Sequence, residues 1–234
     1  MYFIENNNYI QMSKRMFFDF QRHVNEILKY KKYINLILAT GDTLIEFTKL
    51  INDDYSVPYN RINLYIVDEY AGIHYNDERS CTIDIINLIP SINKFKSINW
   101  FSKNNYVADI RNYNSILKKE GIDICILGVG ADGHIGFCYP PDYNVSNDYY
   151  ILRPFSFKEK KLHVNNGWFD LIKHVPDNSI TLSILGIKSS KIIMIAAIYS
   201  QKKEIVDSLK CKMNLTGVPV AYLLENDNAY LYLG

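Results

Sequence analysis

Four short and nearly unbroken apolar runs punctuate this chain, and each passes directly into polar or glycine-rich residues. They are Tyr33-Ile34-Asn35-Leu36-Ile37-Leu38-Ala39, Ile62-Asn63-Leu64-Tyr65-Ile66-Val67, Asp123-Ile124-Cys125-Ile126-Leu127 and Lys191-Ile192-Ile193-Met194-Ile195-Ala196-Ala197-Ile198. A strand that is apolar at successive positions, rather than at alternate ones, must be covered on both faces. Helical spacing supplies the cover. Ile10, Met16, Phe17, Phe20, Val24 and Leu28 predict an amphipathic helix from about Tyr9 to Leu28, and Leu44, Phe47, Thr48 and Ile51 predict a second. The expected fold is therefore α/β: a doubly wound, mostly parallel and Rossmann-like sheet with helices on both faces.

A shorter strand near Ser97–Trp100, a helix near Asn112–Lys119 and a final strand near Ala229–Leu233 complete the predicted elements. The stretch from Cys138 to Lys173, with Pro140-Pro141 and weak periodicity, reads as active-site loops and a partly helical lid, a long disordered loop being the alternative. At 234 residues, one core and a single domain over 1–234 are expected.

A net charge of +1 provides no broad field for nucleic acid or anionic membrane, so neither partner is expected. Cys81, Cys125, Cys138 and Cys211 form no Cys-x-x-Cys spacing and read as free thiols in a reducing compartment. The first residues carry no basic region followed by an apolar run, and no apolar stretch is long enough to span a bilayer. A cytoplasmic location follows, and with it no weight for the glycosylation-type triplets at Asn144 and Asn214.

In an open parallel sheet, ligands bind outside the carboxyl ends of the strands. Three polar segments fall there. Thr40-Gly41-Asp42-Thr43 joins a glycine and two hydroxyls to a helix start, which suits a phosphate, although Asp42 works against an anion and a plain helix cap is the alternative. Asp68-Glu69-Tyr70 sets two carboxylates at a strand end, where partial burial would turn one into a base; the alternative is an N-cap at Asp68. Gly128-Val129-Gly130-Ala131-Asp132-Gly133-His134-Ile135-Gly136-Phe137 brings a carboxylate beside an imidazole. His23, His74, His163 and His174 lack such a setting and default to surface or structural roles. Lys202 opens a helix after the last long apolar run, where its ammonium could close over an anion held by the first turn; on its own it reads equally as one of 26 basic side chains on a solvated surface. Lys158-Glu159-Lys160-Lys161 reads as a solvated face or the edge of a lid.

Taken in order, Ala39-Thr40-Gly41-Asp42-Thr43, Val67-Asp68-Glu69-Tyr70-Ala71-Gly72, the Gly128–Phe137 segment and Ser200-Gln201-Lys202 resemble the glucosamine-6-phosphate deaminase/isomerase family. That family shares its fold with the 6-phosphogluconolactonases. The resemblance implies a sugar-phosphate isomerase type of fold and a small-molecule sugar phosphate as partner, with no metal and no organic cofactor. It implies that the Thr40–Thr43 turn and Lys202 grip the phosphate, with Glu69 and Gly130 also contacting substrate. His134, oriented by Asp132, would open the sugar ring, and Asp68 would carry a proton between C2 and C1. The resemblance leaves a homo-oligomer open.

Two positions depart from the family pattern. Tyr139 occupies the place of the acid in the family's Asn-Glu-Pro, and Gly167 that of the arginine in its Asn-x-Arg-Phe-Phe. A phenol with its usual pKa near 10 stays neutral where a carboxylate would be charged. Phosphate binding would then rest on Lys202 and the first turn, or on Arg153, Lys160 or Lys161. Lactone hydrolysis by a His134-activated water and sugar-phosphate binding without turnover are the alternative functions.

Overall fold

The computed structural model describes residues 1–141 and 146–234; Asn144 lies outside them. Seven strands form a parallel sheet in the order β1 (Tyr2–Glu5), β10 (Ala229–Leu233), β9 (Ile192–Ala197), β6 (Ile124–Gly128), β2 (Ile34–Leu38), β3 (Ile62–Ile66), β5 (Ser97–Asn99). All six predicted strands are in it, and β1 is an edge strand that the apolar runs did not announce. The register sets Leu36 beside both Leu64 and Ile124, and Ile126 beside Met194. All five residues of β2 are buried, as two-sided cover requires.

Among the described residues, seven α-helices surround the strands: α1 (Tyr9–Ile27), α2 (Ile45–Asp53), α3 (Cys81–Leu88), α4 (Tyr106–Glu120), α5 (Phe157–Asn165), α6 (Ile184–Lys188) and α7 (Tyr199–Cys211). The Asn8 side chain caps α1 by accepting from the Gln11 N–H, which satisfies one of the donors a helix start leaves over. Met12, Met16, Phe20 and Val24 recur on one face of α1 and are fully buried. Phe20 meets Phe47 of α2 edge to face, with centroids 5.9 Å apart. Each such side chain stabilises the fold by about 1.5–3 kcal/mol through burial. Among the described residues, no helix is long and apolar enough to cross a membrane.

A second sheet adds what the apolar runs did not announce. It is antiparallel, in the order β4 (Asp68–Tyr70), β8 (Asn178–Leu182), β7 (Tyr150–Pro154). Asp68 therefore lies in a strand, opposite Thr181, and is not a helix N-cap. Residues 150–154 and 157–165, within the stretch read as loops and lid, form β7 and α5. Buried residues of both sheets, among them Leu64 and Ile180, belong to one continuous core.

Candidate active site

The four strands that carry the polar motifs, β9, β6, β2 and β3, are neighbours in the sheet. From β2 the chain moves to β3 and β5 on one side, then returns to fill the other side from β6 outward. The strand order thus reverses between β2 and β6, the place where open α/β sheets leave a crevice. The Thr40–Thr43 turn follows β2 and the glycine loop follows β6. The two touch: a Cβ on Gly128 would lie 3.5 Å from the Thr43 Cβ.

Gly41 has φ of 113°, a conformation that side chains rarely adopt, and its carbonyl accepts from the Leu44 N–H at 2.9 Å. The turn is braced from α1, because Tyr9 Oη donates to the Asp42 carbonyl at 2.9 Å and accepts from the Glu46 N–H at 3.1 Å. Thr43 is buried, Thr40 is half-buried, and Gly41 and Asp42 are exposed.

Asp68 and Glu69 separate as adjacent strand residues must, onto opposite faces. Glu69 is 1% exposed and its carboxylate accepts from the backbone N–H groups of Tyr70, Cys81 and Thr82 and from the hydroxyls of Ser80 and Thr82. It anchors the start of α3, and both of its oxygens are engaged there. Asp68, 6% exposed, has no such set of donors among the described residues. Burial, and next the charge of Glu69, push its carboxyl up to about 7, with the Cys81 thiol offsetting part of the rise. A carboxylate poised there can take and return a proton near neutral pH.

His134 is held by its own loop. Asp132 Oδ1 accepts from the His134 backbone N–H at 3.1 Å and pairs with the ring Nδ1 at 2.6 Å. With the proton on Nδ1, Nε2 is left bare to accept another. Burial would raise the Asp132 carboxyl, but the ring and backbone hydrogen bonds from His134 outweigh it and hold it low. Gly130 lets the ring lie against the chain, since a Cβ there would fall 2.1 Å from Nδ1. Gly136 brings the loop to Asp68: a Cβ on it would lie 3.0 Å from Asp68 Oδ2 and 3.0 Å from Thr181 Oγ1. Thr181 Oγ1 in turn accepts from the Phe137 N–H at 3.1 Å. The loop that holds Asp132 and His134 thus meets the strand of Asp68 at Gly136.

Lys202 lies in the first turn of α7, after β9, with non-helical φ and ψ of −123° and 17°. It is half-buried and forms no ion pair with any described residue. Two of the other cations considered for phosphate are already engaged. Arg153 makes a two-pronged pair with Glu159, at 2.6 and 3.1 Å, and Lys160 is bound to Asp177 and to the Val175 carbonyl. Glu159, 8% exposed, also closes a capping box with Ser156 at the start of α5, so the 158–161 run is not simply a solvated face. Gly167 is exposed, with φ of 78°.

Of the surface and structural roles open to His163, the structure shows the second. It is fully buried, with Nδ1 2.7 Å from Tyr70 Oη and Nε2 3.0 Å from Tyr139 Oη. Among the described residues, no three His, Cys, Asp or Glu side chains converge as a metal site would require.

A mostly parallel seven-stranded sheet wrapped by helices on both faces defines an α/β protein with the fold of the sugar-phosphate isomerase type. A family profile described as Glucosamine-6-phosphate isomerases/6-phosphogluconolactonase matches residues 8–232, and the chain belongs to that family. It is 30% identical over 233 residues to a glucosamine-6-phosphate deaminase of Clostridium perfringens (strain 13), covering 95% of this chain and 92% of the relative. It is 27% identical over 216 residues to that of Staphylococcus epidermidis (strain ATCC 12228), covering 86% and 85%. Among solved structures, a monomeric glucosamine-6-phosphate deaminase superposes with a TM-score of 0.81 at 23% identity, over 100% of this chain and 97% of the other. The 6-phosphogluconolactonase of Thermotoga maritima gives 0.74 at 16% identity, over 99% and 97%. Both likenesses are of fold.

Proposed function

We propose that this protein isomerises and deaminates glucosamine 6-phosphate, yielding a ketose 6-phosphate and ammonia. The observation that carries the reading is Asp68, a buried carboxyl raised to about 7 and adjoining the loop that holds the Asp132–His134 pair. In this reading His134 Nε2 moves the proton that opens the pyranose ring, while Asp132 keeps its Nδ1 protonated. Asp68 then takes the C2 proton and returns it to C1 through an enolamine, and water releases ammonia from the resulting ketimine. A positioned carboxylate suits this transfer, because proximity lowers the barrier to removing a proton from carbon.

The phosphate rests on Lys202 and on the Thr40–Thr43 turn, since Arg153 and Lys160 are committed elsewhere. A cytoplasmic, reducing compartment fits the buried thiols of Cys81 and Cys125.

The test is turnover of hexose and hexosamine 6-phosphates with ammonia and ketose assayed separately. Asp68→Asn is expected to abolish ammonia release and leave sugar-phosphate affinity nearly intact. Undiminished turnover in that variant would remove the proposed base. In deuterated solvent the product is expected to carry deuterium at C1; hydrolysis of a lactone would place none there.

A further inference from the structure

The side chains of Tyr70, His163 and Tyr139 form a buried polar chain that the proposed chemistry does not use. His163 comes from α5, and both of its ring nitrogens are occupied by phenol hydroxyls at 2.7 and 3.0 Å. The two phenols come from opposite sides of the site. Tyr70 is two residues after Asp68 on β4, and Tyr139 is five residues after His134. The ring of Tyr139 lies 4.7 Å from that of His134, tilted by 41°. One contiguous line of groups therefore runs from the strand of Asp68 to the imidazole of His134.

The chain is rigid and uncharged. Tyr70 packs against Phe137, Phe155 and Phe169 at centroid distances of 5.1, 5.9 and 4.9 Å. Burial pushes both phenols well above their ordinary range and brings His163 down to about 4, so all three are neutral at physiological pH. A neutral imidazole has one donor and one acceptor, so one phenol donates to it and the other accepts from it. Each hydroxyl orientation then depends on the other, and neither ring can shift without breaking a buried hydrogen bond.

We propose that Tyr139, tethered through His163 to Tyr70, is a further positioning residue for His134 beside Asp132: a phenol–imidazole–phenol chain backs the imidazole where the family pattern has a carboxylate. In mechanistic terms this rests on the isomerase/deaminase reading. The contact itself is a property of the unliganded protein, and its test includes a readout that needs no turnover.

The experiment compares wild type with Tyr139→Phe, His163→Phe and His163→Gln, in full-length protein. The first readout is the upfield displacement of the His134 ring protons caused by the Tyr139 ring, taken from NMR spectra with Tyr139→Leu as zero. Tyr139→Phe and His163→Phe are expected to reduce it, and His163→Gln, which keeps a donor and an acceptor, to restore much of it. The second readout is kinetics with glucosamine 6-phosphate. Tyr139→Phe is expected to lower kcat about tenfold with KM within about twofold, as misplacement of one reacting group would. Should His163→Phe not fold, Tyr139→Phe cuts the same tether by removing one oxygen. An unchanged His134 displacement in folded Tyr139→Phe overturns the proposal, whatever the activity. A wild type that releases no ammonia would instead sink the functional reading, and the NMR comparison would still decide the role of the chain.

Discussion

A methyl group added at residue 130 would sit 2.1 Å from both Cε1 and Nδ1 of His134, far inside contact distance. The side chain of His134 is 25% exposed, so the ring can swing toward solvent and leave the loop folded. Gly130→Ala is accordingly expected to break the Nδ1 pairing with Asp132 and lower kcat by about 100-fold, with little change in melting temperature. Kinetics and thermal denaturation on the same preparation check this; wild-type kcat would mean that the orientation of His134 does not matter. The glycine frame around His134 was legible in the sequence because only glycine allows such close approach. The division of labour between Asp68 and Glu69 was legible only in part. Alternation says that the two face opposite ways, but which one meets the start of α3 depends on residues 80–82, which no local pattern brings back to β4. His163 left no mark at all. It lies in Phe157-Lys158-Glu159-Lys160-Lys161-Leu162-His163-Val164-Asn165, a mostly polar helix that reads as surface.

At the scale of elements, the parallel sheet could be read because each long strand is buried on both faces and so is continuously apolar. The antiparallel sheet could not. Its strand β7, with exposure varying along Tyr150–Pro154 in place of a continuous apolar run, pairs with β8 more than twenty residues later. Such pairing is decided by tertiary contact, which overrides weak local preference. The start of α5 shows the same dependence from the energetic side. Ser156 Oγ accepts from the Glu159 N–H at 3.2 Å, while Glu159 accepts from the Ser156 N–H at 2.7 Å and clamps Arg153. Ser156→Ala removes one half of this box and is expected to cost about 1 kcal/mol. In a chain of this size that lowers the melting temperature by about 2–4 °C. A differential scanning measurement would show it, and no loss would mean that the Arg153–Glu159 pair alone holds the helix start.

For the molecule as a whole, burying the carboxyl of Asp68 has a thermodynamic cost that depends on pH. Asp68 is raised to about 7 in the folded protein, against an ordinary carboxyl near 3.8. Between those two values the native state holds a proton that the unfolded chain has released, so stability falls as pH rises across the window. Below about 4 the penalty is absent, and above about 7 it is fully present. His163 acts in the opposite sense: lowered to about 4, it leaves the native state unprotonated where the unfolded chain binds a proton, which costs stability as pH falls below about 6.5. The two partly cancel in the wild type, which therefore cannot be read alone. Asp68→Asn removes only the first, because an amide keeps the shape and loses the titration. The variant is expected to gain melting temperature over wild type by several degrees at pH 8 and by little at pH 4.5, since each kcal/mol moves the transition about 2–4 °C. Melting curves of both proteins from pH 4.5 to 8 give the difference directly. A gap that stays constant over that range would mean that the Asp68 carboxyl is not raised, and the case for it as a base poised near neutrality would go with it.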